Sequence, residues 1–249
     1  MEFHIIINGI PVDAHYSCES VDGIFIPLLR KLSELQKSAG RRILVMLAAP
    51  PGAGKSTLCE FLKTLSGSDK SLPALTVIGM DGFHRYQDYL LTHTAFRDGR
   101  EVRMVDIKGA PVTFDLHRFT EFIKKVSMGE ECGWPVYNRM THNPQEDAVK
   151  VTGDVVILEG NYLLLDEDGW RELHSYADFT VKIIADIEDL RTRLVERKCA
   201  SGTDRASAEE FVERSDLYNA RLCLSCSLPA DLTLYMRPSG EYALTPEMK

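Results

Sequence analysis

The most constraining feature of the sequence is a glycine-rich segment between an apolar run and an amphipathic stretch. Residues 42–49 read Arg-Ile-Leu-Val-Met-Leu-Ala-Ala, which is typical of a strand buried on both faces. Residues 49–56 continue as Ala-Pro-Pro-Gly-Ala-Gly-Lys-Ser. They match the phosphate-binding pattern G-x-x-x-x-G-K-[ST], with Ala49 in place of the first glycine. Residues 57–65 predict the helix that must follow such a loop.

The order strand, loop and helix gives this segment a physical function. Successive backbone N–H groups can surround phosphates, and the positive end of the helix dipole adds to the attraction. We therefore predict a site for a nucleoside triphosphate and Mg²⁺, in which Lys55 reaches the β and γ phosphates and Ser56 holds the metal. The predicted nucleotide-binding residues are Pro51, Gly52, Ala53, Gly54, Lys55, Ser56 and Thr57. The alternative, a glycine-rich turn without a ligand, fits this context poorly.

Further buried strands alternate with helices along the chain. Apolar runs occur at 75–80, 154–158, 179–184 and 232–236, and helical patterns at 55–65, 115–127, 187–199 and 207–225. This alternation predicts an α/β protein with a parallel sheet and helices on both faces. With the phosphate loop, the expected fold class is a three-layer αβα sandwich of the P-loop NTPase type, built on a five-stranded parallel sheet.

The first 40 residues precede the core pattern and predict an N-terminal appendage. Residues 3–12 indicate a β-hairpin with Asn8-Gly9 as its turn, and residues 22–38 an amphipathic helix. We expect residues 1–40 to pack at the sheet edge or to form a homodimer surface. Residues 41–249 are then the domain that carries the phosphate loop, with a lid at about 197–206.

Charge and cysteine content restrict the partners. The chain carries 29 Lys and Arg against 37 Asp and Glu, a net charge of −8, which disfavours nucleic acid and anionic membranes as partners. The start of the chain lacks the pattern of a signal peptide, so we expect a cytoplasmic protein with reduced thiols. Cys223 and Cys226 form a lone C-x-x-C without the second ligand pair that a zinc site needs. The expected partner is a small molecule.

Two carboxylates follow predicted strands and should meet beside the phosphate loop. Asp81 comes at the end of the second strand and Glu159 at the end of the third. One can orient or deprotonate an attacking hydroxyl while the other holds magnesium, and these two roles remain interchangeable. No Asn-Lys pair is present, which disfavours a GTPase.

At this point the chain resembles the uridine kinase, pantothenate kinase and phosphoribulokinase superfamily of P-loop small-molecule kinases. It is most similar to the bacterial branch of nucleoside, nucleotide or fructose-transport-type kinases. The resemblance runs from about residue 41 to about 226. It rests on Asp81-Gly-Phe-His84, Pro111-Val-Thr-Phe-Asp115, Pro135-Val-Tyr-Asn-Arg-Met-Thr-His142, Glu159-Gly160 and the arginines at 193 and 197.

The resemblance implies specific roles. Asp81 is the expected base, Glu159 the second carboxylate at the metal, and Arg193 and Arg197 lid arginines that clamp phosphates. The predicted catalytic residues are thus Asp81, Lys55, Arg193 and Arg197. The predicted metal ligands are Ser56 and Glu159, and the predicted acceptor-binding residues are His84, Lys108, Asp115, Tyr137, Arg139 and His142.

Three residues depart from the uridine kinase pattern. His84 replaces a tyrosine, Arg139 replaces a phenylalanine, and Lys108 adds a further positive charge. Cations in the acceptor pocket indicate a substrate with a carboxylate, a phosphate or many hydroxyl groups. Asp115 can also be only a helix N-cap, and the arginines of the 187–199 helix can form a solvated basic face.

These observations predict an ATP-dependent kinase that phosphorylates a hydroxyl of a small polar metabolite, such as a nucleoside or a sugar. Two alternatives remain open. The first is a nucleotide-dependent regulatory ATPase or binding protein, and the second is a nucleoside monophosphate kinase. The acceptor-side residues favour the metabolite kinase, since a pure switch needs no second-substrate pocket.

Overall fold

The structure is a computed structural model that describes residues 1–7 and 10–245. Its strands are β1 (Glu2–Ile7), β2 (Ile10–His15), β3 (Ile43–Ala48), β4 (Leu75–Gly79), β5 (Thr94–Arg97), β6 (Arg100–Arg103), β7 (Cys132–Asn138), β8 (Asn143–Val151), β9 (Val155–Gly160), β10 (Phe179–Ala185), β11 (Leu232–Met236) and β12 (Tyr242–Leu244). Its α-helices are α1 (Cys18–Ser20), α2 (Ile26–Ala39), α3 (Lys55–Ser68), α4 (Gln87–Thr92), α5 (Leu116–Ser127), α6 (Ile187–Ala200), α7 (Arg205–Phe211) and α8 (Leu217–Ser225).

The central sheet has six strands in the order β12-β11-β10-β3-β9-β4. The five strands from β11 to β4 are parallel, as predicted, and β12 adds an antiparallel edge to β11. The prediction of five strands is one short, because β12 has only three residues and no apolar run marks it. The phosphate loop follows β3, which lies between β10 and β9.

Helices cover both faces of the sheet, which confirms the three-layer arrangement. Along β3, Val45 and Leu47 point into a core with α2, α3 and α6, whereas Leu44 and Met46 point into a second core. The second core contains Phe119 of α5 and the aromatic residues Trp134, Tyr162 and Trp170. The strict alternation of β3 between two cores explains why its sequence is apolar without interruption.

The N-terminal segment begins with the predicted hairpin, in which β1 and β2 pair antiparallel. The predicted turn at Asn8-Gly9 lies outside the described residues. A helical segment follows through α1, a π-helical turn at Val21–Phe25 and α2. The expectation that this helix packs at the sheet edge is wrong, because α2 contacts β3 and β9 in the middle of the sheet. Its division from residues 41–249 as a separate unit stays a prediction.

The helix predicted at 207–225 is divided in the structure. The segment α7 ends at Phe211, a π-helical turn spans Val212–Asp216, and α8 follows. Cys223 lies buried on α8 and Cys226 at its C-terminal end; all six cysteines are free. None of the described helices is long and apolar enough to span a membrane.

Candidate active site

The phosphate loop has the backbone geometry that its glycines predict. Gly52 and Gly54 have φ values of 87° and 77°, in the left-handed region that glycine adopts without strain. A side chain at position 54 would also meet the hydroxyl of Tyr242 at 2.9 Å. Gly54 is the N-cap of α3, so the first backbone N–H groups of that helix open toward the loop.

Two side chains from distant parts of the chain donate hydrogen bonds to carbonyl groups of the loop. The Nε of Arg193 donates to the carbonyl of Gly52 at 2.9 Å. The buried hydroxyl of Tyr242 donates to the carbonyl of Ala53 at 2.9 Å. Both bonds use carbonyl oxygens and so occupy none of the N–H groups of the loop, of which the Ala53 N–H donates to the Pro50 carbonyl at 3.3 Å. Sequence reasoning identified Arg193 but missed Tyr242, since no local pattern marks it.

A cavity of about 460 Å³ opens in front of the loop and brings most predicted phosphate-site residues together. The loop contributes Gly52, Gly54, Lys55, Ser56 and Thr57 to its lining. The other predicted residues in the lining are Asp81, Arg139, Arg193 and Arg197. Pro51 and Ala53 are buried beneath the loop and do not line the cavity. Ile7 and residues 11–13 of the N-terminal hairpin also line it, which the sequence did not indicate.

The two predicted carboxylates meet at one end of this cavity. A neighbouring cavity of about 380 Å³ contains Asp81, Glu159 and Ser56 in its lining. The Ser56 hydroxyl donates to Oε1 of Glu159 at 2.7 Å. Burial raises the pKa of Glu159 above its ordinary value; Lys55 opposes the shift and Asp81 adds to it. The switch-point expectation for these residues matches the geometry.

The oxygen atoms at this end fit a magnesium ion. Among the described residues, no group of three or more His, Cys, Asp or Glu side chains forms a metal cage. Mg²⁺ in nucleotide sites takes only one or two protein oxygens and completes its shell with phosphates and water. Ser56 and Glu159 together provide that small oxygen set.

The acceptor-side aromatic residues form a cluster next to Asp81. The ring of His84 stacks on Phe114 with centroids 4.0 Å apart, and Tyr137 meets His84 edge-on at 5.2 Å. Burial lowers the pKa of His84 to about 4, so its ring is neutral near pH 7. Its Nδ1 has no hydrogen-bond partner among the described residues. The predicted residues His84 and Tyr137 therefore lie together, and His84 is buried at the bottom of this aromatic cluster.

The hairpin of β7 and β8 carries the remaining acceptor-side residues. The Tyr137 hydroxyl lies 3.3 Å from Nδ1 of His142. Lys108 donates to the side chain of Gln87 at 2.8 Å and to the carbonyl of His142 at 3.1 Å, with its ammonium above the Tyr137 ring. Lys108 thus links the β7–β8 hairpin to the first residue of α4. Arg139, near the hairpin tip, instead reaches the phosphate cavity.

Asp115 has the structural role that was one of its two predicted interpretations. The Asp115 carboxylate accepts from the backbone N–H of Arg118 at 3.2 Å and is the N-cap of α5, as one of its two interpretations expected. Its role toward a substrate stays a prediction.

On α6, Arg191 pairs with Glu188 and Glu213 on the outer face, whereas Arg193 and Arg197 face the cavity. The helix therefore has one solvated basic face and another basic face that lines the cavity.

A three-layer α/β fold, a phosphate loop after a central strand and a carboxylate pair define a P-loop nucleotide-binding protein. Residues 44–215 match the sequence model of the Phosphoribulokinase / Uridine kinase family. The chain belongs to this family, and it is a phosphotransferase that acts on an alcohol group of a small molecule.

The chain is also similar to individual proteins. The chain is 42% identical over 246 residues to the "Uncharacterized protein YggC" of Escherichia coli K12, covering 98% of this chain and 100% of that one. It is 31% identical over 180 residues to a "Putative uridine kinase" of Schizosaccharomyces pombe, covering 71% and 74%. The crystal structure of a "putative fructose transport system kinase" from Silicibacter sp. TM1040 has 32% identity and a TM-score of 0.69, covering 81% of this chain and 98% of that one.

Proposed function

We propose that this protein is an ATP-dependent, Mg²⁺-dependent kinase that transfers the γ-phosphoryl group to a hydroxyl of a small metabolite carrying a negative charge. One observation carries the proposal. A single cavity joins the phosphate loop, a carboxylate at position 81 and three arginines, Arg139, Arg193 and Arg197. A switch protein needs the loop but needs no second pocket for an acceptor, such as the one that Arg139 borders.

The residues divide the work of phosphoryl transfer. Asp81 orients the acceptor hydroxyl and takes its proton as the new P–O bond forms and the bond between the γ-phosphorus and the β–γ bridging oxygen breaks, which releases ADP. Lys55, Arg193 and Arg197 stabilise the charge on the phosphoryl oxygens. Closure of the site on substrate binding would exclude the water that competes with the acceptor. Ser56 and Glu159 would hold Mg²⁺, which supplies further charge neutralisation on the phosphates.

The charge of the acceptor follows from the position of Arg139. The other two arginines and Lys55 suffice to contact a triphosphate, and Arg139 enters the same cavity from the opposite element, the β7–β8 hairpin. A guanidinium group prefers a carboxylate or a phosphate. An anionic sugar derivative or hydroxy acid satisfies this preference, and a nucleoside monophosphate does so as well.

The test is ADP release from MgATP with a panel of nucleosides, nucleotides, sugars, sugar phosphates and hydroxy acids. We expect stimulation by an anionic acceptor. Asp81→Asn should reduce kcat by about 10²-fold to 10⁴-fold, the usual contribution of a general base, with little change in nucleotide affinity. Asp88→Asn, at an exposed acid on α4, is the matched control and should retain activity.

Slow ATP hydrolysis that no panel compound stimulates, unchanged in Asp81→Asn, would contradict the kinase and favour the regulatory ATPase. Strict preference for nucleoside monophosphates would identify the second alternative. Both results come from the same assay.

A further inference from the structure

The N-terminal hairpin extends the phosphate cavity away from Asp81. A smaller cavity of about 100 Å³ lies between residues 12–16 of the hairpin and the turn at Ser239 and Gly240. The two cavities adjoin each other, because they share five lining residues: Val12, Asp13, Gly54, Thr57 and Arg193. The hairpin precedes residue 44, where the match to the family begins.

The larger and the smaller cavity differ in chemistry. Asp81 and Ser56 line the larger cavity and, together with Glu159, the neighbouring cavity of about 380 Å³, where phosphoryl transfer takes place in the proposed function. Gly54 and Thr57 line the small cavity, which lacks those three residues. A triphosphate that presents its γ-phosphate to Asp81 directs its nucleoside away from Asp81. The small cavity is therefore on the nucleoside side.

The hairpin borders this space with the edge of β2 rather than with one of its faces. Side chains alternate between the two faces of a strand, so a face contributes every second residue. Here consecutive residues line the cavities, 11–13 in one and 12–16 in the other. The hairpin sheet has only two strands, so β2 has a free edge opposite β1.

The pairing register of β1 and β2 shows which backbone N–H and C=O groups of β2 point outward from its free edge. Met1 and Tyr16 exchange both backbone hydrogen bonds, so they form a hydrogen-bonded pair. Such pairs alternate with non-hydrogen-bonded pairs along an antiparallel ladder. His4 and Asp13 are three positions further on and form a non-hydrogen-bonded pair. The N–H and C=O of Asp13 therefore point away from β1, out of the free edge.

Two observations agree with this orientation. Pro11 occupies another non-hydrogen-bonded position, where the missing N–H costs the ladder nothing. Among the described residues, the backbone N–H and C=O of Asp13 and His15 find no partner outside the hairpin. The edge thus presents a donor and an acceptor side by side toward the nucleoside end of the cavity.

We propose that the free edge of β2 binds the nucleoside of the phosphate donor through the backbone N–H and C=O of Asp13. This inference rests on the proposed kinase function and adds to it a recognition element that lies before residues 44–215, the region that matches the family. The complementary ligand is a heterocyclic base edge that places a hydrogen-bond acceptor next to a donor, as adenine does with N1 and its amino group.

The experiment measures the Kd of MgATP and of Mg-tripolyphosphate by calorimetry with the full chain. Asp13→Pro removes the outward N–H without removing a ladder bond, as at Pro11. We expect about a tenfold higher Kd for ATP, the size of one lost hydrogen bond, and no change for tripolyphosphate, which has no nucleoside. Glu2→Pro is the matched control, because Glu2 is also in a non-hydrogen-bonded pair but lies at the edge of β1 outside these cavities.

Each other result overturns the inference. An unchanged Kd for ATP in Asp13→Pro excludes the backbone contact. An equal loss for ATP and tripolyphosphate, or an equal effect of Glu2→Pro, shows that the hairpin shapes the site without contacting the nucleoside. Wild-type protein that binds ATP no more tightly than tripolyphosphate contradicts this inference alone. Wild-type protein that binds neither ligand contradicts the proposed function as well.

Discussion

The surroundings of a side chain, rather than its type, separate the functional residues of this protein from structural ones. Arg191 and Arg193 are two positions apart on α6, yet one pairs with surface glutamates and the other holds the phosphate loop. Spacing relative to known motifs predicted Asp81 and Arg193 from the sequence. It did not predict Tyr242, because its contact with Ala53 joins residues 189 positions apart.

Arg139 provides the test at the scale of one residue. Arg139→Ala should raise the KM for an anionic acceptor by about 10-fold to 100-fold, since a hydrogen bond to a charged group contributes about 1.5–3 kcal/mol. The KM for ATP should change less, because Lys55, Arg193 and Arg197 remain in the cavity. The measurement is steady-state kinetics with the acceptor found in the panel.

Arg100→Ala is a suitable control, because Arg100 is exposed on β6 and lines none of the cavities described above. Equal KM values for the acceptor in wild type and Arg139→Ala would exclude Arg139 from acceptor binding. A selective rise in the KM for ATP would place Arg139 on the donor instead.

At the scale of elements, the β7–β8 hairpin and the turn at Met80–Phe83 fix the site together. A side chain at Gly82 would meet the Pro135 carbonyl at 1.9 Å, so the hairpin docks directly on the turn that carries Asp81. The indole of Trp134 donates to the carbonyl of Gly79 at 2.8 Å and adds to this contact. Periodicity predicted the sheet strands and most helix bounds well. It did not predict this docking, which depends on an interlocking fit between separate elements.

Burial of His84 in this docked region makes stability depend on pH. The pKa of His84 is about 4 in the folded protein, against about 6.5 in an unfolded chain. Between these values the unfolded chain binds more protons, so the free energy of unfolding falls as the pH decreases from about 6.5 to about 4. The total loss from this group is about 3 kcal/mol. Besides burial, Lys108 and Arg139 lower this pKa and Asp81 raises it.

His84→Phe keeps the stack on Phe114 but removes the titration. Urea unfolding at pH 7 and pH 4.5 should show a smaller loss of stability for His84→Phe than for wild type. The control is His117→Gln, because His117 is exposed, and it should follow the wild-type profile. Parallel profiles for wild type and His84→Phe would refute the assignment of this pH dependence to His84.

For the whole molecule, the two terminal segments meet outside the region that matches the family and close around the phosphate loop. Ser17 donates its backbone N–H to Glu241 at 2.6 Å, and the Tyr16 ring stacks beside Tyr242. Residues 1–40 contain a recognisable hairpin and helix, but their position on the core depends on partners more than 200 residues away. No local pattern in the sequence encodes such a contact, so only the structure reveals it.

Tyr242 links this terminal closure to the loop, and its hydroxyl can be removed alone. Tyr242→Phe leaves the buried carbonyl of Ala53 without a partner, which costs about 1–3 kcal/mol of unfolding free energy. Tyr235→Phe is the matched control on the adjacent strand, because its hydroxyl donates to Asp186 at an exposed position. Water replaces that bond, so the control should change stability by about 0.5 kcal/mol or less. Urea unfolding of both variants at pH 7 measures the difference, and equal losses would mean that the Tyr242 hydroxyl does not anchor the loop.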